Sequence, residues 1–137
     1  MPKLKQSIFK AGKGLWTAFP LILGTILLVS LASLIPKSVY SSIFTGSFFD
    51  NILGALVGSI SAGNPISSYI LGGELLKQGI SLVAVTAFLV AWVTVGIIQL
   101  PAESLMLGKK FAITRNILSF IFAIIIALIV VFIISLL

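Results

Sequence analysis

Residues 51–73 read NILGALVGSISAGNPISSYILGG, a charge-free stretch whose centre, Gly63-Asn64-Pro65, does not continue a helix. A helix interrupted there frees backbone N–H and C=O groups, and a lipid environment offers them no partners. Within a bilayer such a break has to face protein or a polar cavity. Membrane transporters build substrate sites from helices broken in this way.

The rest of the chain makes a bilayer the natural solvent. Of 137 residues, 59% are hydrophobic and only 9% charged, and the mean hydropathy is +1.26, more apolar surface than a soluble domain of this length can bury. An all-α integral membrane protein is expected, with the lipid bilayer as its first partner. The formal charge of +6 does not indicate nucleic acid, because the nine basic residues are scattered over ends and loops without a stripe of stacking aromatics. With no cysteine and no histidine, the usual ligands for zinc, haem, copper and iron–sulfur clusters are missing, so no metal or cofactor is expected. Nucleophile–base pairs of the Ser–His and Cys–His kinds are excluded; composition leaves a Ser–Lys pair open, but the lysines lie near segment ends, where they more often anchor a helix. The chain is not read as an enzyme and no catalytic residue is assigned.

Outward from the central stretch, three uninterrupted charge-free runs cover residues 15–35, 80–100 and 117–137. Each would make a helix of roughly 30 Å, the thickness of the hydrocarbon core. Residues 1–14 form a basic N-terminal segment and Trp16 an interfacial anchor. Pro20 is expected near the start of the first span, in a first-turn position, with Pro36 as its stop. The positive-inside rule bears on residues 48–73. If they cross the membrane once, the basic residues divide about evenly between the two sides. If they dip and return, Lys3, Lys5, Lys10 and Lys13 join Lys109, Lys110 and Arg115 on the cytoplasmic side, leaving only Lys37 and Lys77 outside. Seven against two favours a re-entrant helical hairpin. The expected fold is three transmembrane helices plus that broken hairpin, one membrane domain over residues 1–137, multi-pass in the cell membrane with a cytoplasmic N-terminus.

Gly54, Gly58 and Ala62 give the first limb a small-xxx-small face suited to close helix packing, and Gly72 and Gly73 are expected to follow the second limb. Ser59 and Ser61 have an ordinary use in bonding their own preceding turn. The break itself concentrates Gly63, Asn64, Pro65, Ser67 and Ser68. With Gly63 or Asn64 as a cap and Pro65 as first helical residue, the second limb would direct free N–H groups inward. The alternative use is a plain loop capped by Asn64. A second proline break follows in Gln99-Leu100-Pro101-Ala102-Glu103-Ser104. It sets an amide and a carboxylate about one turn apart on one face if the helix runs through Pro101. Gln99 is a substrate-binding candidate, because an amide buried in a span is costly unless paired or wetted. Glu103 is the proton-coupling candidate, the competing expectation being a headgroup-level pair with Lys109 or Lys110. Trp92 needs a partner for its indole, Thr94 has its own helix to bond, Arg115 reads as an interfacial anchor, and Glu74 and Lys77 are spaced to pair. Residues 117–137 carry no polar face and read as lipid-exposed scaffold.

The run from Ser61 to Phe120, SAGNPISSYILGGELLKQGISLVAVTAFLVAWVTVGIIQLPAESLMLGKKFAITRNILSF, resembles the bacterial and archaeal permeases whose larger members include the ArsP-type organoarsenical exporters. The resemblance covers a little under half the chain. It lies in the order of features: a Gly/Pro-broken hairpin, a Gly-Ile-Ser-Leu start, an Ala-rich span with a polar end and a second proline break. The larger permeases are about twice as long, and many carry cysteines where this chain has Asn64, Ser67 and Ser68, so thiol capture of trivalent arsenic is closed to it. What the resemblance implies is a permease-like unit whose polar hairpin is formed by Gly63, Asn64, Pro65, Ser67 and Ser68.

Three spans and a hairpin make an odd number of crossings, as in one half of an inverted-repeat transporter. Three spans do not enclose a pathway, so a homo-oligomer, a dimer for preference, is expected to transport a small polar or ionic solute through a midplane site. The rival expectation is a non-transporting scaffold subunit of a larger membrane complex.

Overall fold

The computed structural model describes residues 2–32, 34–61 and 65–137, apart from the side chains of Pro2, Leu21, Thr25, Leu28, Val29 and Ala32. Gly63 and Asn64, two of the candidate site residues, and Ala62 lie outside the described residues. Among those described the fold is helical with no strand, and the chain divides into two compact units, Met1–Leu34 and Ile35–Leu137.

The first unit is the helix α1, Pro2–Ala32. It takes in the whole basic segment, so Pro20 stands inside the helix and not in its first turn as expected. A proline there lacks the N–H that would bond the Trp16 carbonyl, which weakens the helix at its middle.

Among its described residues the second unit holds six helices: α2 (Lys37–Ile43), α3 (Phe49–Ile60), α4 (Pro65–Lys77), α5 (Leu82–Thr94), α6 (Leu100–Leu107) and α7 (Lys109–Leu136). Among the described residues α7 is the one helix long and apolar enough to cross a membrane, and α3 and α5 are shorter apolar helices. The continuous helix expected over 80–100 is therefore two pieces, α5 and α6, separated by Val95–Gln99. Three β-branched residues, Val93, Thr94 and Val95, precede Gly96 and lower helix propensity there. Pro101 in the first turn of α6 then favours a new start over continuation.

Local chemistry places each of the central helices. The buried Asp50 carboxylate, in the first turn of α3, accepts the N–H groups of Thr45 (3.1 Å) and Gly46 (2.6 Å) and tethers the preceding loop to the positive end of the helix. The described part of α4 opens at Pro65, and the expected cap at Gly63 or Asn64 lies outside the described residues. That helix runs past Gly72 and Gly73 to Lys77, so both glycines lie within the limb and do not follow it. It closes with Ile80 N–H on Leu75 O (3.2 Å) and Gly79 N–H on Leu76 O (3.0 Å), the Schellman arrangement. Ser81 then caps α5 by accepting the Ala84 N–H at 3.2 Å.

Helix α5 packs against α3, α4 and α7. Gly54 faces the Ala84 carbonyl and Gly58 the Phe88 carbonyl, so equal steps along both chains keep them in register and α3 and α5 run parallel. A Cβ on Gly58 would overlap the Phe88 carbonyl oxygen and lie 3.1 Å from Trp92 N, and a Cβ on Gly54 would overlap the Ala84 carbonyl oxygen. The expected packing face of Gly54 and Gly58 is thus a backbone-to-backbone contact. Around it Ala55, Ala87, Ala91, Ala123 and Ala127 form a fully buried core. A second cluster, Ile80, Ala84 and Val85, is covered by Tyr40, Phe44, Leu75 and Leu89.

Candidate functional site

Because α3 and α5 run parallel, their C-termini finish side by side, and both interruptions of the chain open there. Ser59 and Ser61 from the end of α3 and Trp92 to Gln99 from the end of α5 and the break line one cavity of about 110 Å³, with Arg115 of α7 as its cationic wall. That is room for a few water-sized groups. On the other side of the break Leu56, Val95, Ile97, Leu100, Ile117 and Phe120 line an apolar recess of about 270 Å³.

A helix that ends inside a protein leaves its last carbonyls and the following N–H groups to be satisfied. At the end of α3, the Ser61 N–H bonds the Val57 and Gly58 carbonyls, and the Ser59 and Ser61 hydroxyls donate to Ala55 O and Val57 O at 2.6 and 2.7 Å. At the end of α5, Val95 N–H bonds Ala91 O (2.9 Å) and the Thr94 hydroxyl donates to Val90 O (2.7 Å). These hydroxyls therefore serve their own turns, the ordinary use their sequence positions allow.

The break is bridged from α7. Gly96 N–H donates to Asn116 Oδ1 at 2.8 Å, while Asn116 Nδ2 donates to Ala112 O at 2.9 Å and to Glu103 Oε2 at 3.3 Å. Glu103 Oε1 in turn meets Arg115 Nη2 at 2.7 Å. Asn116 is only 6% exposed, so its amide is a buried joint holding α5, α6 and α7 together. Arg115 Nε, also buried, has no hydrogen-bond partner among the described residues. Gln99 sits at the N-cap of α6 with its side-chain oxygen towards Gly96, where a Cβ would be 3.1 Å from Oε1 and 3.5 Å from Arg115 Nη2. Glu103 N–H bonds Gln99 O at 3.0 Å, which sets amide and carboxylate one turn apart as the spacing predicts.

Of the sequence candidates, Gln99 reaches the polar cavity and Glu103 stands behind it. Pro65, Ser67 and Ser68 are not among the cavity's lining residues. The Ser68 hydroxyl is buried and donates to Pro65 O at 2.6 Å within its own first turn. Glu103 pairs with Arg115 of α7 and accepts from Asn116 beside it, and among the described residues it makes no pair with Lys109 or Lys110. Arg115, read from sequence as an interfacial anchor, also lines the cavity and pairs with Glu103. Glu74 and Lys77 do pair, at 3.8 Å with the lysine largely exposed. Trp92 stacks edge-on against Phe88, ring centroids 5.4 Å apart.

Asp50 and Asn116 are buried, hydrogen-bonded polar groups that sequence reasoning did not single out. Each carries a signal in hindsight: Asp50 follows Thr45-Gly46-Ser47 into an apolar helix, and Asn116 is the last polar residue before a strongly apolar run. Comparison with protein-family models, with curated proteins and with solved structures gave no match.

Proposed function

We propose that this chain is a membrane permease half-unit that assembles with further copies, a dimer for preference, to pass a small polar or ionic solute through the cavity between its broken helices. The observation that carries the reading is the convergence of two separate chain interruptions, after Ile60 and after Thr94, on one polar cavity bounded by Gln99 and Arg115. A packed scaffold has no need of paired breaks, whereas a solute shedding its hydration shell needs the carbonyl and amide groups that breaks expose. The size of the cavity suits an ion or a solute of a few heavy atoms.

Arg115 is the last charged residue before the charge-free run 116–137. On this reading the cavity opens near one membrane face, in place of the midplane position the hairpin alone suggests. Helix α6 is then its movable wall. Among the described residues, none of α6 is buried and it packs on α7 and on no other helix; it joins α7 through the single residue Gly108, whose φ of 92° is a conformation glycine adopts without strain. Its polar hold on α7 is Glu103, through Arg115 and Asn116. Release of that hold frees α6 to swing about Gly108 and uncover Gln99.

The test is flux. Purified protein in proteoliposomes, screened by solid-supported membrane electrophysiology and tracer uptake against small ions and neutral polar solutes, is expected to carry at least one of them. Gln99→Ala is expected to reduce that flux about tenfold or more, in line with loss of a desolvated polar contact. Absence of flux from a stable homo-oligomer, or purification only together with a different chain, would assign the scaffold role instead.

A further inference from the structure

The first unit offers a surface that the transport reading does not use. Helix α1 is continuous through its basic segment, so the sequence there can be laid on a helical wheel. Leu4, Ile8, Leu15 and Phe19 recur at steps of four, seven and four and form one apolar stripe, with Ala11 between them. Lys3, Gln6, Lys10, Lys13 and Thr17 recur at steps of three and four on the opposite side. Phe9 and Trp16, with Lys5, fall along the border between the two faces. The stripe is exposed, Leu4 at 60%, Ile8 at 63% and Leu15 at 72%. No acidic residue precedes Asp50, so the four lysines have no counter-charge within their own unit.

We infer that residues 2–19 of α1 form an interfacial helix that seats on anionic phospholipid headgroups, its Leu4–Ile8–Leu15–Phe19 stripe sunk toward the acyl chains and its lysines on the phosphate layer. An apolar stripe flanked by unbalanced lysines matches an anionic membrane surface in both respects, with a tryptophan at the boundary where indoles collect. An acidic protein would satisfy the lysines and leave the stripe wet. Pro20, at the end of the amphipathic part, is where the backbone hydrogen bonding is interrupted, so the following apolar residues can turn from the surface into the bilayer. The inference concerns α1 alone and stands whether or not the protein transports.

The chain contains no cysteine, which makes single labels clean. Full-length Leu15→Cys, Ile8→Cys, Gln6→Cys and Lys10→Cys proteins, spin-labelled and reconstituted, are compared in phosphatidylcholine vesicles and in vesicles with about one-third phosphatidylglycerol. In the anionic vesicles, oxygen accessibility is expected to be high at positions 8 and 15, and a water-soluble relaxation agent is expected to reach positions 6 and 10. Lys3→Gln with Lys13→Gln should weaken the seating roughly five-fold per lysine removed, and high salt should reproduce the effect. Equal water exposure at all four positions in anionic vesicles would overturn the inference. So would protection that appears only on adding a polyglutamate peptide to neutral vesicles, which would assign the face to an acidic protein.

Discussion

The contact between α3 and α5 and the break between α5 and α6 lie at neighbouring levels of one helix, yet they are held by opposite means. Along the contact, Gly54 and Gly58 remove side chains so that backbones touch, and alanines fill what is left. At the break, backbone order is given up and three polar side chains, Asn116, Glu103 and Arg115, replace it. The first is a shape fit in which every atom added collides with something rigid. The second is a network with one joint buried and its outer members partly wet, with Glu103 and Arg115 side chains 17% and 38% exposed. The α3–α5 contact is thus close-packed backbone, while α6 is held by a partly exposed polar network, the contrast on which the proposed movable wall rests.

The sharpest way to break that contrast is to load the shape fit. Gly58→Val puts branched atoms against the Phe88 carbonyl and the Trp92 backbone, with no flexible side chain to give way. It is expected to cost about 3 kcal/mol or more, read as loss of the monodisperse detergent-solubilised species and of the thermal transition. Gly73→Ala, where nothing lies within 4 Å, is the matched control and should leave both unchanged. Next comes the buried joint. Asn116→Leu keeps the volume but strips the Gly96 N–H of its acceptor and Glu103 of a donor. A loss of about 1–3 kcal/mol is expected, measured by thermal unfolding, with hydrogen exchange rising first at residues 96–103.

Smaller still is the outer member. Glu103→Gln removes the ion pair while an amide oxygen can keep the Asn116 contact. It should leave thermal stability nearly unchanged while raising the reactivity of a Gln99→Cys label toward a water-soluble maleimide. If the label is no more reactive than in the Glu103 background, α6 is not a movable wall. At the bottom of the scale, Lys77→Ala should be silent, within about 0.5 kcal/mol, because its contact with Glu74 is long and solvent-screened.

Legibility from sequence followed the range of the forces involved. The limbs on either side of Gly63-Asn64-Pro65, the serine and threonine bonds to preceding turns and the Glu74–Lys77 pair all depend on residues within four positions of one another. Each was readable. The break at 95–99 was hidden because Val95, Gly96 and Ile97 are as apolar as the helix before them, and hydropathy does not register backbone geometry. Ser68 showed the opposite failure: a hydroxyl beside a break looked free, but its nearest carbonyl was one turn away and took it.

The amino-acid order alone determined that the chain is helical and strongly apolar, where its first break falls and which small residues allow helices to touch, since backbone sterics and hydrophobic periodicity act over a turn or two. Which polar groups meet was decided by tertiary packing. Glu103 finds Arg115, and Gly96 finds Asn116 twenty positions away, because α7 folds back along α5 and leaves a buried N–H and a carboxylate that must each be answered by a group from another helix.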